Sequence, residues 1–147
     1  MQAFTPTRTP TPLLGTALLG LDASSLIELG AAVEQGFDPS AVRRLANRLE
    51  LSLGAALKLL EVKESTFHLY KRENRRLNRD DSAHLYRLAQ VTEAAEAYFE
   101  SAERARAWLQ TPRLSFGNKT PLQFALLPGG TEYVLTVLSR LEHGVYT

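Results

Sequence analysis

The 147-residue chain contains no cysteine, one methionine, one tryptophan and three histidines. The absence of cysteine excludes disulfides, thiolate metal sites and thiol catalysis, and it suits a reducing compartment. No window approaches the roughly 20 uninterrupted apolar residues that a membrane helix needs, because the longest early apolar stretch, PLLGTALLGL, is broken by glycines. That stretch also lacks the basic start and cleavage site of a signal peptide. We therefore expect a cytoplasmic protein with no membrane partner.

Motifs of catalysis and ligand binding are also missing. His84 and His143 have no partners at metal-ligand spacing, and the chain has no H-E-x-x-H sequence. Serines lie mostly at helix caps and turns without a G-x-S-x-G sequence, and no glycine-rich phosphate loop precedes a Lys-Ser or Lys-Thr pair. We therefore expect no catalytic residues, no metal and no cofactor, and we interpret the protein as a non-enzyme.

Charge is unevenly distributed, although the formal net charge is only +1. Between Ser40 and Asp80 the chain has ten basic and five acidic residues, a surplus of +5 that leaves −4 for the remainder. A basic middle within a nearly neutral chain predicts a local binding site for a polyanion.

Helical periodicity and capping signals follow a Thr/Pro-rich opening, and 44% hydrophobic content is enough for a buried core. Helices are predicted at about 26–35 with Ser25 as cap, 39–49 with Asp38 as cap, 53–60, 64–73, 80–100, 102–110, from 121 with Thr120 as cap, and 131–143. No alternating strand pattern occurs, so the predicted class is all-α. We divide the chain into an extended or disordered tail (1–20), a DNA-binding unit (21–79) and a C-terminal unit (80–147). Trp108, Tyr98 and Phe99 are expected in the core.

The segments 53–60 and 64–73 have the spacing of a helix-turn-helix motif. In that motif the second helix enters the DNA major groove, so Leu57, Leu60, Val62 and Phe67 should be inside and Ser65, Thr66, His68, Leu69 and Arg72 outside. Basic side chains at the end of this helix and beyond it are placed for phosphate contacts: Lys71, Arg72, Arg75, Arg76 and Arg79.

These interpretations have structural alternatives. Two short helices around a turn also form corners of helical bundles that never meet DNA. The arginines would then belong to a solvated linker, and His68 would contact either a base edge or nothing.

The chain ends on SRLEHGVYT, where the last helix stops at Gly144 and leaves Val145, Tyr146 and Thr147 beyond it. An apolar ending of this kind either folds back onto the base of the helix or enters a pocket on another protein.

Together, LSLGAALKLLEVKESTFHLYKRENRRL, the A-x-x-W-L and T-P of AERARAWLQTP, the T-P-L of TPLQFALL and the ending VLSRLEHGVYT resemble the MbcA/ParS/Xre antitoxin family. The resemblance implies an Xre-like helix-turn-helix domain followed by a helical toxin-binding and dimerisation domain. Implied partners are a RES-domain toxin that destroys NAD, operator DNA and a second copy of the chain. The implied toxin-binding residues are Arg140, His143, Gly144, Val145, Tyr146 and Thr147.

The sequence departs from the family pattern at Lys63, where many relatives have Ser, and at Leu69 and Tyr70, where many have an Arg pair. Base readout would then depend on Ser65, Thr66, His68 and the basic residues downstream. The resulting hypothesis is an antitoxin that blocks its toxin with the C-terminal segment and represses its own operon as a dimer. The alternative is a stand-alone helix-turn-helix repressor whose C-terminal half only dimerises.

Overall fold

The computed structural model describes residues 13–142, and within that range the protein is built from α-helices without a named strand. The helices are α1 (Thr16–Leu19), α2 (Leu26–Gln35), α3 (Ser40–Leu49), α4 (Leu53–Leu60), α5 (Glu64–Arg72), α6 (Arg79–Phe99), α7 (Ala102–Leu109), α8 (Pro121–Ala125) and α9 (Gly130–Glu142). A 3₁₀ turn, Leu114–Phe116, lies between α7 and α8. The predicted all-α class is confirmed. None of the described helices is long and apolar enough to cross a membrane.

Helix α6 is the centre of the molecule. It packs against α1, α2, α3 and α4 as well as against α7, α8 and α9. Leu85, Leu88, Val91 and Ala95 on this helix are completely buried, and they belong to one hydrophobic core that runs from Leu18 to Leu138. The helix-turn-helix half and the C-terminal half therefore share a helix and a core, and the division at residues 79 and 80 stays a prediction.

Most helices begin where their capping residues predict. The Ser25 side chain accepts a hydrogen bond from the Glu28 N–H at 3.1 Å, and Ser52 does the same for Ala55. Thr120 and Gln123 form a complete capping box, because each side chain accepts the backbone N–H of the other. These contacts satisfy backbone donors that the first helical turn leaves free.

The start of α6 differs from the prediction. The helix begins one residue before the predicted residue 80, and Asn78 is its cap, because the Asn78 side-chain oxygen accepts the Asp81 N–H at 2.7 Å. Ser82 is instead buried, and its hydroxyl accepts the Phe37 N–H at 2.9 Å. The sequence offers several polar residues in a row, and a distant contact decides which of them caps.

Part of the predicted N-terminal tail is ordered, so the prediction of an extended or disordered tail is wrong for residues 13–20. There the chain forms α1, and Leu18 and Leu19 are buried. Glu93 on α6 accepts hydrogen bonds from the Gly15 N–H and, at 3.1 Å, from the Leu18 N–H. A helix of four residues is unstable alone, so this contact with α6 holds it. The Thr/Pro-rich residues 1–12 lie outside the described residues.

The aromatic core of the C-terminal half begins on α6. Trp108 is buried, and Tyr98 and Phe99 are half-buried against the core. Ring centroids lie 4.7 Å apart for Tyr98 and Phe99, 6.1 Å for Phe99 and Trp108, and 5.9 Å for Trp108 and Phe116. These edge and tilted contacts are the favoured arrangements of packed rings, and they fix α7 and the 3₁₀ turn against the end of α6.

Candidate DNA-binding and toxin-binding surfaces

Helices α4 and α5 form the predicted helix-turn-helix unit. Glu61, at a φ of 59°, ends α4 in the left-handed conformation, and α5 begins three residues later at Glu64. Leu57, Leu60 and Phe67 are buried, and Val62 is half-buried in the turn. The prediction that these residues face inward is therefore confirmed, and their burial determines which side of α5 faces outward.

The outer face of α5 carries the residues predicted to read bases. Ser65, His68 and Arg72 are exposed at helical spacing, whereas Thr66 and Leu69 are half-buried at its edges. This face is polar in its centre and cationic at its C-terminal end. Such a surface is chemically able to donate to base edges and to pair with phosphates.

Of the five basic residues predicted to contact phosphates, three interact with other groups of the chain. The Arg75 guanidinium lies 3.1 Å from the Glu73 carboxylate and 5.6 Å from the centroid of the Tyr70 ring. Arg76 donates to the Gly36 carbonyl at 3.2 Å, and Arg79 lies 3.6 Å from the Glu34 carboxylate.

Lys71 and Arg72, in contrast, are exposed and make no ion pair within residues 13–142. These two are consequently the most available of the five predicted phosphate contacts.

A hollow of about 320 Å³ lies between the N-terminus of α3 and the C-terminus of α5. Its lining consists of Asp38, Pro39, Ser40, Tyr70, Lys71, Asn74, Arg75 and Arg76. Hydrogen bonds from Ser40 hold the pKa of the Asp38 carboxyl below its usual value, with help from the charges of Arg76 and Lys71 and against the effect of burial. Asp38 is therefore anionic here and offsets part of the cationic charge. Ser40 and Asn74 are candidate polar contacts that sequence reasoning missed, because only the folded chain brings them to the lining of one hollow.

Of the predicted toxin-binding residues, Arg140 is exposed on α9. His143, Gly144, Val145, Tyr146 and Thr147 lie outside the described residues. Val134, Val137 and Leu138 are buried, which confirms the predicted packed face of the last helix. Arg140 lies two residues before the end of α9, after which the C-terminal segment continues in the sequence.

A groove of about 580 Å³ separates α4 from α8. Lys58, Leu59, His84, Leu122 and Leu126 contribute to its walls. Among the described residues, no three His, Asp or Glu side chains are grouped as metal ligands would be. The groove is therefore an apolar and weakly cationic cleft between the two halves.

Two family models match the chain in tandem. Residues 28–90 match the antitoxin Xre-like helix-turn-helix domain, and residues 94–144 match the antitoxin Xre/MbcA/ParS C-terminal toxin-binding domain. The first match contains α4 and α5, and the second contains α7, α8 and α9. The two matches meet inside α6.

Three curated proteins named antitoxin Xre are similar to the chain. The one from Pseudomonas putida is 37% identical over 65 residues, which cover 44% of this chain and 41% of that protein. The one from Photorhabdus laumondii is 24% identical over 148 residues, covering 99% of both chains. The one from Yersinia enterocolitica is 24% identical over 143 residues, covering 94% of this chain and 97% of its own.

Proposed function

Because the chain belongs to the Xre/MbcA/ParS antitoxin family, we propose that it neutralises a RES-domain toxin that degrades NAD and represses its own operon. One observation carries this proposal: a helix-turn-helix segment and a toxin-binding segment share α6 and one core. A protein with both surfaces on one rigid body is suited to bind the toxin and the operator. In this role the protein is a binding partner and no enzyme. Both partners are found in the cytoplasm, which we therefore propose as its location.

The proposed neutralisation uses the end of the chain. Arg140 is exposed near the end of α9, and the five residues from His143 to Thr147 follow the helix. Five residues span at most about 17 Å, enough to reach into a concave active site that a globular surface cannot enter. Val145 and Tyr146 are its apolar anchors, and we propose that they, with Gly144 and Thr147, close the NAD site of the toxin.

The proposed operator binding uses α5 as the recognition helix. Ser65, Thr66 and His68 would contact base edges, and the basic residues at its end and beyond would contact phosphates: Lys71, Arg72, Arg75, Arg76 and Arg79. Two copies of the chain would place two such helices on the half-sites of a palindrome.

Neutralisation is tested by producing the product of the adjacent gene, which the proposal requires to be a RES-domain toxin, together with the full chain or with a chain lacking Gly144 to Thr147. We expect cells with the full chain to keep their NAD and cells with the shortened chain to lose it. The shortened protein should still fold and shift operator DNA, because α9 and α5 are intact. Full protection by the shortened chain would disprove the mechanism of the C-terminal segment.

The same co-production distinguishes the antitoxin from a stand-alone repressor. A tight complex that copurifies with the neighbouring gene product supports the antitoxin. A dimer that shifts DNA but does not bind that product would instead indicate a stand-alone repressor.

A further inference from the structure

The connection between α7 and α8 is a rigid turn with hydrogen bonds at both ends. The Arg113 N–H donates to the Lys119 carbonyl at 3.2 Å, and the Asn118 N–H donates to the Arg113 carbonyl at 2.9 Å. Gly117 and Asn118 have left-handed φ angles of 63° and 64°, which reverse the chain direction between these two bonds. The turn is therefore defined by its own backbone.

Phe116 anchors this turn to the core. It is 1% exposed, and its ring centroid lies 5.9 Å from that of Trp108, 5.3 Å from that of Phe124 and 5.5 Å from that of Tyr133. The Tyr133 hydroxyl also donates to the Ser115 carbonyl at 3.3 Å. Helix α9 thus holds the turn from a second side.

Leu114, two residues before this anchor, is 87% exposed. In a 3₁₀ turn successive residues are about 120° apart, so an inward Phe116 leaves Leu114 outside. Removing a leucine side chain from water is favourable, and Leu114 does not gain this stabilisation in the isolated chain. Because its backbone is already fixed, binding through it would cost little ordering entropy.

Two cations flank Leu114. The Arg113 guanidinium lies 5.6 Å from the centroid of the Trp108 ring. Lys119, which pairs with Arg113 in an isolated antiparallel β-bridge, is exposed. Neither side chain makes an ion pair in the part of the chain that the structure describes. The turn therefore presents an apolar tip between two positive charges, which fits an apolar depression with an acidic rim.

We propose that the turn Arg113–Lys119 is a second contact surface for the protein toxin, with Leu114 as its apolar anchor. This inference rests on the proposed function. The turn lies within residues 94–144, the segment that matches the toxin-binding domain, and it has no part in the helix-turn-helix half. Tyr133 joins it to the start of α9, whose 13 residues span about 20 Å to the segment proposed for the active site. An interface that buries about 800 Å² per partner is about 30 Å across, so one toxin surface can cover both.

The test is the affinity of purified full-length variants for the RES-type protein of the neighbouring gene, measured by calorimetric titration. Leu114→Asp should raise Kd at least tenfold and leave the unfolding temperature unchanged, because the side chain is exposed. The matched control is Ile27→Asp on α2, where the side chain is 86% exposed in the other half of the chain. This variant should bind within twofold of the wild type. Amide exchange in residues 113–119 should also slow in the complex.

The outcomes separate this inference from the proposed function. Tight binding by the wild type with an unchanged Kd for Leu114→Asp would overturn the second surface alone. Equal losses from Leu114→Asp and Ile27→Asp would also overturn it, because added charge rather than the turn would then be responsible. If Leu114→Asp converts a dimer to a monomer at constant toxin affinity, the turn binds a second copy and the inference is wrong. If the wild type does not bind, the proposed function itself fails.

Discussion

Gly36 joins two distant segments of the helix-turn-helix half. Its φ is +87°, and a Cβ atom at this position would lie 1.9 Å from the Leu77 carbonyl oxygen. Arg76 donates to the Gly36 carbonyl, and the Leu77 N–H donates to the Phe37 carbonyl at 2.9 Å. The end of α2 can therefore lie against the residues after α5 only if this position has no side chain.

We expect Gly36→Ala to lower the free energy of unfolding by at least about 2 kcal/mol, because it adds backbone strain and a contact with a backbone oxygen that cannot move aside. Urea unfolding of the full chain measures this change. Gly30→Ala is the matched control, since Gly30 is exposed within α2 and a Cβ atom there meets nothing within 4 Å. It should stabilise the protein by about 0.5–1 kcal/mol through helix propensity. Equal effects of the two substitutions would disprove the steric explanation.

Asp38 gives the N-terminus of α3 a dependence on pH. The helix begins at Ser40 with Pro39 at the N-cap position, one residue after the predicted start, but the Asp38 side chain still accepts the Ser40 N–H at 2.8 Å. The pKa of Asp38 is lowered in the folded state, so its charge stabilises the fold above the unfolded pKa of about 3.9. That contribution disappears as the pH falls through the folded pKa.

Asp38→Ala should therefore lower the free energy of unfolding by about 1 kcal/mol at neutral pH, as loss of a helix cap does. The difference from the wild type should shrink between about pH 5 and pH 2. Unfolding curves across this range measure it. Asp38→Asn, which keeps a capping oxygen without the charge, should be less stable than the wild type at neutral pH and should not share its loss of stability between about pH 5 and pH 2. A deficit of Asp38→Ala that is constant with pH would contradict the assignment.

At the scale of elements, α5 and the residues that follow it carry two kinds of cation. Lys71 and Arg72 make no ion pair within residues 13–142, whereas Arg79 beyond the helix lies near Glu34 and, at 3.7 Å, near Asp80. Exposed ion pairs are weak, so Arg79 can exchange Glu34 and Asp80 for a phosphate. The loss of these two ion pairs then offsets part of the gain from the phosphate contact. The helix-turn-helix unit should therefore depend more on the two free cations than on the engaged arginines.

For operator binding, we expect Lys71→Ala and Arg72→Ala each to lower the slope of log affinity against log salt by about 0.9, the value for one phosphate contact. Arg75→Ala and Arg76→Ala should lower it as well, and Arg79→Ala should have a smaller effect. Fluorescence anisotropy with a labelled operator fragment at several salt concentrations gives the slopes. Slopes equal to that of the wild type in Lys71→Ala and Arg72→Ala would remove these residues from the interface.

At the scale of the whole molecule, α6 makes the two halves one folding unit. The helix is 21 residues long, and its buried residues contact elements on both sides. A polar connection between two domains would allow each half to unfold alone, but a shared buried helix does not. The surfaces proposed for toxin binding and for DNA binding thus lie on one rigid frame.

This sharing predicts a single cooperative unfolding transition. The only tryptophan, Trp108, reports on the C-terminal half, and far-ultraviolet circular dichroism reports on all helices. In urea the two signals should change with the same midpoint and slope, as two-state unfolding requires. A tryptophan transition that is separated from the helical one would show that the halves unfold independently.

Features that depend on residues close together in the sequence could be predicted. The Asp38-Pro39 and Thr120-Pro121 pairs mark helix starts, and Leu57 and Phe67 follow the helical period with the spacing of a helix-turn-helix. These signals act within a few residues, so they were enough to predict the helices from α2 to α9, the all-α class and the outer face of α5.

The remaining features depend on contacts between residues far apart in the chain. Gly15 and Glu93, which hold α1, are 78 positions apart, and Arg76 reaches the Gly36 carbonyl across 40. No local pattern shows which cations are engaged, that α1 docks on α6, or that Phe116 turns inward and leaves Leu114 outside. Local patterns in the sequence predicted the helices from α2 to α9 and the resemblance to an antitoxin family. Only the packing around α6 decided which charges and which apolar side chains are free to meet a partner, because burial and pairing are properties of the assembled core.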